Sequence, residues 1–206
     1  MPALNFSPPD DREEIARAEI YGLLARLFYA APDEALYAQL QVAVTEAPSR
    51  GAFLERSWAG VVAASRRLTS DEVRDEYATL FLGIGKPEIF LYGSFFIAGS
   101  LNGKPLVDLR SDLGALGLER PEAVSETEDH IASLCEVMRY LIAGDDISVS
   151  NLANQQRFFN RHLRGWVEAM CDALQAHPRA DFYRHLAGFT RDFVAVEVQG
   201  FELLDV

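Results

Sequence analysis

AVSETEDHIASLCEVMRYLI, residues 123–142, is the stretch on which the fold turns. Its second half repeats apolar residues at helical spacing: Ile131, Leu134, Cys135, Met138, Leu141 and Ile142 share one stripe at about 100° per residue. Its first half concentrates Glu126, Glu128, Asp129 and His130 just before that stripe. Ser125 and Glu128 have the S-x-x-E form of a capping box, which predicts a regular helix with Glu126 at its first position and His130 in its second turn. On that helix His130 lies at the shoulder of the stripe beneath Leu134, and Glu126 lies one turn earlier on the same side. Glu128 falls on the opposite shoulder and Asp129 points away. Negative charge near a helix N-terminus is stabilised by about 0.3–1 kcal/mol, so part of the acidity has a purely structural account.

Outward from this stretch the periodicity stays helical. Asp10 with Glu13 marks a helix start, followed by Ile20, Leu23, Leu24, Leu27 and Phe28 on one face. APDEALYAQLQVAV opens a second helix with Pro32 in its first turn, FLERSWAGVVAASRRL a third, and Thr69-x-x-Glu72 caps a fourth that Gly83 stops. Residues 83–104, GIGKPEIFLYGSFFIAGSLNGK, interrupt the pattern with five glycines and a proline. Phe90, Tyr92, Phe95 and Phe96 make this an ordered loop rather than a solvated linker, its aromatics either packed on the helical body or held for a ligand. A short helix follows near LVDLRSDLGALG. Two further helices carry Leu152, Phe159, Leu163, Trp166, Met170 and Leu174, then Phe182, Leu186, Phe189, Phe193 and Val196. The expectation is an all-α, single-domain helical bundle: an N-terminal half over 10–82, a loop or hinge over 83–104 and C-terminal helices over 105–199.

Composition narrows the function. The chain has 206 residues, 49% hydrophobic and 24% charged, with a formal net charge of −12. A field of that sign repels nucleic acid and anionic lipid and favours cationic partners. The first residues lack a basic segment followed by an apolar run, and no window approaches 18 uncharged apolar residues, so neither a secretory signal nor a membrane span is expected. Cys135 and Cys171 are the two cysteines, each among apolar helical positions. They are expected as reduced core thiols in a reducing, cytoplasmic setting. SRRLT at 65–69 has two arginines, but SDEVRDE follows rather than an apolar run, so Arg66 and Arg67 fit a solvated helix end.

Four readings are open to the carboxylate–histidine cluster: a metal site, an acid–base pair, a helix cap and a surface that grips a partner. A di-metal bundle needs Glu-x-x-His pairs, and none occurs: Thr127 stands three before His130. A histidine oriented by Glu126 suits general acid–base catalysis, yet no nucleophile or cofactor signature accompanies it, and GIGKPE lacks the phosphate-loop spacing. No metal, cofactor or catalytic residue is therefore assigned. What remains is either a cap on a solvated face, or a polar rim beside an apolar surface that suits a segment both cationic and apolar.

Three stretches taken together, DEYATLFLGIGKPEIFLYGSFF (75–96), ETEDHIASLCEVMRYLI (126–142) and QQRFFNRHLRGWVEAM (155–170) with DFYRHLAGF (181–189), resemble the TorD/DmsD/NarJ family of molybdoenzyme maturation chaperones. The resemblance spans roughly residues 15–197, with Thr127 where the family often has proline and Gly85-Lys86-Pro87 where it has Gly-Pro. It implies a cytoplasmic chaperone, not an enzyme, that binds a molybdopterin-dependent oxidoreductase precursor through its twin-arginine leader or its apo body during cofactor insertion. It further implies that Glu126, Glu128, Asp129 and His130 contribute to client binding, with Tyr77, Leu80, Phe81, Tyr92 and Ser94. Carboxylates accept guanidinium groups while an aromatic groove takes an apolar helix. A small His/Glu enzyme and a plain adaptor binding through 83–104 stay as alternatives. The loop between helical halves suits a hinge, compatible with a monomer or a homodimer.

Overall fold

Helices account for the regular structure, and several begin where a side chain can satisfy their exposed backbone groups. The structure, a computed structural model, describes residues 11–45, 53–83 and 85–203. Among these, ten α-helices follow in order: α1 Asp11–Tyr29, α2 Glu34–Val42, α3 Glu55–Arg67, α4 Ser70–Tyr77, α5 Gly93–Ala98, α6 Lys104–Ala115, α7 Ile131–Ala143, α8 Leu152–His162, α9 Val167–Ala176 and α10 Phe182–Glu202. The expected all-α architecture holds. Asp10 of the expected start signal lies outside the described residues. The Thr69 and Glu72 side chains close a reciprocal capping box at α4, with Thr69 N donating to Glu72 at 2.7 Å and Glu72 N to Thr69 at 3.2 Å. At α2 the cap is Asp33, whose carboxylate accepts from Leu36 N at 2.7 Å, so Pro32 precedes the helix instead of opening it.

α1 packs along α7, and α10 lies against α3 and α9. One continuous apolar cluster runs through all of these, with Tyr21, Phe28, Phe159, Trp166, Phe182 and Phe193 among its largest buried side chains. Residues on both sides of 83–104 join it, and Ile89 and Leu91 within that segment do too. Cys135 and Cys171 are buried and unpaired, and burial pushes the Cys171 thiol up to about 12. Among the described residues no helix is long and apolar enough to cross a membrane.

Three expectations need correction. First, residues 152–174 are two helices, α8 and α9. In an unbroken helix the His162 carbonyl would accept from Trp166 N; here it accepts the Trp166 indole N–H at 2.6 Å, while Trp166 N turns to the Leu163 carbonyl at 3.3 Å. Leu152, at the first position of α8, is 41% exposed and lies off the core. Second, 83–104 is not loop throughout, since α5 occupies its middle. A π turn, Ala78–Leu82, ends α4 at Gly83, whose φ of 30° and crowding by the Lys86 carbonyl leave no room for a side chain. Third, α7 starts at Ile131, five residues beyond the expected Glu126.

Candidate functional site

The late start of α7 builds the site. His130 is extended just before α7 and pairs with Tyr92: Gly93 N donates to the Asp129 carbonyl at 2.9 Å and Ile131 N to the Leu91 carbonyl at 2.8 Å, making an isolated antiparallel bridge between Tyr92 and His130. Their rings meet edge to face at 5.0 Å. The two sequence blocks that look most like binding motifs are thus bound to each other.

Each polar group of the cluster then has a task. Asp129, expected to point away, is 4% exposed; it accepts from Ser94 N at 2.9 Å and from the Thr127 hydroxyl at 2.6 Å. It thereby serves the start of α5, where Tyr92 offers no side-chain cap. The buried Ser94 hydroxyl accepts from Asn102 N at 3.1 Å and closes the turn after α5. Tyr92 donates its hydroxyl to Glu126, and burial first, then that contact, raise the phenol well above its ordinary range. His130 is the N-cap of α7, not a second-turn residue: its Nδ1 accepts from Ala132 N at 3.1 Å. Burial holds its pKa down at about 4 against the opposing charges of Glu126 and Asp129. At neutral pH the ring is uncharged and the Nδ1 lone pair is already engaged, which removes the general base that an acid–base enzyme would need.

Tyr77, Leu80 and Phe81 stand behind the cluster. Tyr77 donates to the Tyr29 carbonyl at 2.6 Å, and burial together with Glu126 lifts it to about 12. Leu80 is fully buried, and Phe81 is half-buried edge-on to Tyr183 at 4.9 Å. All three are accounted for by packing. The loop aromatics are packed too, with Phe90 stacked on Phe95 at 4.1 Å and Phe96 on Trp166 at 5.7 Å. Arg66 and Arg67 end α3 exposed, with Arg67 paired to Asp181 at 2.5 Å.

Glu128 faces the other way. Its carboxylate is held by Arg110 at 2.8 Å and approached by Arg120 at 3.5 Å; burial alone would raise its pKa, but the Arg110 hydrogen bond, a backbone hydrogen bond and the charges of both guanidiniums together keep it below the usual carboxylate range. Two concavities flank the cluster. One, about 360 Å³, has Gly93, Ser94, Asp108, Asp129, Leu134 and Trp166 in its wall. The other, about 460 Å³ and mainly apolar, runs between α1, α7 and the segment before α7, past Tyr29, Leu113, Leu118, Glu128, Val137 and Tyr140. The structure thus joins Tyr77, Tyr92, Ser94, Glu126, Asp129 and His130, and sends Glu128 to a separate groove. Sequence reasoning missed Arg110, Arg120 and the two rim tyrosines. No recognisable motif marks them; Arg110 and the tyrosines matter through distant neighbours, and Arg120 through the fold of its own segment toward Glu128.

Comparison with known proteins agrees with this architecture. The family described as nitrate reductase delta subunit matches residues 32–172. A chaperone protein TorD from Vibrio cholerae serotype O1, El Tor Inaba, is 30% identical over 172 residues, covering 76% of this chain and 78% of the relative. Its counterpart in a Classical Ogawa strain is 29% identical over the same length. A crystal structure of a protein from Archaeoglobus fulgidus assigned to redox enzyme maturation covers 94% of this chain and 97% of its own, with a TM-score of 0.53 at 19% identity, a likeness of fold.

Proposed function

We propose a function from one fact: the chain belongs to the TorD/DmsD/NarJ family of molybdoenzyme maturation chaperones. As a redox enzyme maturation chaperone it holds an immature molybdopterin-dependent oxidoreductase subunit in the cytoplasm, engages its twin-arginine leader and keeps the apo body competent for cofactor insertion before export. The observation that carries this is the groove beside Glu128, an apolar trough of about 460 Å³ edged by a carboxylate already built to hold guanidinium groups. The leader's apolar segment, as a helix, would lie in this groove against Tyr29 and Tyr140, with its arginines toward the acidic edge. The net charge of −12 would speed encounter with such a cationic segment. Glu126, Asp129 and His130 act on this surface from behind, by fixing residues 91–92 and α5 in place, and Tyr77, Leu80, Phe81, Tyr92 and Ser94 support them.

The test is titration of the protein with twin-arginine leader peptides of molybdopterin oxidoreductases, alongside maturation of the full precursor. Micromolar or tighter binding, lost when the peptide arginines become glutamines, is the expected result. Asp129→Ala combined with His130→Ala should lower precursor maturation. Absence of binding to any leader or precursor, with maturation intact in that double variant, would overturn the function.

A further inference from the structure

Glu128 already has two arginines, and they are held unequally. Arg110 projects from α6, a regular helix, and reaches one carboxylate oxygen through both Nε at 3.0 Å and a terminal nitrogen at 2.8 Å. Arg120 approaches the other oxygen at 3.5 Å, longer than an ordinary hydrogen bond, and its remaining contact is to the Val124 carbonyl within its own segment. That segment, residues 117–124, has no helix. It begins at Gly117 with a φ of 70°, is rooted by Leu118 N on the Leu113 carbonyl at 2.9 Å, and folds on itself through Val124 N and the Pro121 carbonyl at 3.0 Å. Leu118, Arg120, Pro121 and Val124 line the 460 Å³ groove together with Tyr29 and Tyr140.

We propose that Arg120 occupies, in the free protein, the place of a client guanidinium, so that a client arginine reaches Glu128 by displacing Arg120 and loosening the 117–124 strap over the groove. This rests on the leader-binding function above and adds a regulation to it. Exchange of one guanidinium for another leaves the carboxylate equally satisfied, so the strap, rather than desolvation of Glu128, sets the difference between free and bound states. The strap lowers apparent affinity by the fraction of molecules in which it is closed, and it keeps the acidic edge neutralised against arginines that lack an apolar segment to fill the groove. Arg110, fixed on its helix, stays in place and orients the carboxylate.

The experiment compares leader binding to wild type, Arg120→Gln, Arg120→Lys, Glu128→Gln and the double variant Arg120→Gln/Glu128→Gln, and follows amide hydrogen exchange at Leu118 and Val124 with and without peptide. Loss of a partly exposed ion pair should tighten binding about two- to fivefold in Arg120→Gln, with a smaller gain in Arg120→Lys. Glu128→Gln should weaken binding, and Arg120→Gln should bring no gain in that background. Bound peptide should speed exchange at both amides in wild type. Equal or weaker binding by Arg120→Gln, or exchange slowed by peptide, overturns the strap while leader binding stands. Failure of every variant and wild type to bind a leader overturns the underlying function and the strap with it.

Discussion

At the scale of single residues, His130 carries the most information. A histidine beside two carboxylates reads as a charged or catalytic group, yet burial holds its pKa at about 4, far below its ordinary 6.5. The unfolded chain therefore takes up the proton first. Stability from this residue is complete above about pH 6.5, declines as the pH falls, and is gone below about pH 4, a loss of about 3 kcal/mol. His130→Asn retains a side-chain acceptor for Ala132 N without the titration. Its urea-unfolding free energy should fall less than that of wild type between pH 6.5 and pH 4. His162, whose pKa burial also lowers, contributes with the same sign in both proteins and drops out of the difference. The residue types of this cluster were legible in sequence because acidic groups and a histidine stand out before an apolar run. Their roles were not. The Ser125-x-x-Glu128 pattern is a valid local signal, but it was outcompeted by two backbone bonds to residues 36 and 40 positions earlier, Gly93 N to the Asp129 carbonyl and Ile131 N to the Leu91 carbonyl.

At the scale of elements, helices are positioned by side chains borrowed from elsewhere. Glu76 on α4 accepts from the backbone N–H groups of Asp181, Phe182 and Tyr183 at 2.8–2.9 Å, so α10 starts on a carboxylate from another helix. Trp166 acts similarly between α8 and α9, its indole holding the last carbonyl of α8 and its ring forming the seat of α5. Gly93 lies so close that an added Cβ would meet the indole at 3.0 Å, and the indole cannot yield without giving up its bond to His162. Gly93→Ala is expected to lower stability by about 1–3 kcal/mol through overcrowding. A thermal midpoint within a degree of wild type would contradict that expectation. The helical stripe through Phe159, Met170 and Leu174 was readable from spacing alone. The break within it was not, since it depends on which hydrogen the His162 carbonyl accepts.

At the scale of the molecule, the first and last of the described helices are tied by a largely buried ion pair. Arg17 on α1 and Glu197 on α10 meet at 2.7 and 2.8 Å, with Tyr21 and Gln155 completing the network. Glu197 is 4% exposed, so removing its charge strands Arg17. Glu197→Gln should destabilise by about 2–4 kcal/mol in urea unfolding, somewhat less than for a fully buried pair because Arg17 keeps some solvent contact. Unchanged stability would mean that the pair is dispensable. The helical class, the apolar faces and the family resemblance were all present in the order of the residues, because helical periodicity and short motifs are local properties that survive without a fold. Which motif grips which, that Asp129 serves α5, that His130 is a neutral cap and that Glu128 turns to a separate groove with its own arginines, were decided only by tertiary structure. Those outcomes depend on contacts between distant segments, whose energies exceed the local preferences that a linear sequence displays.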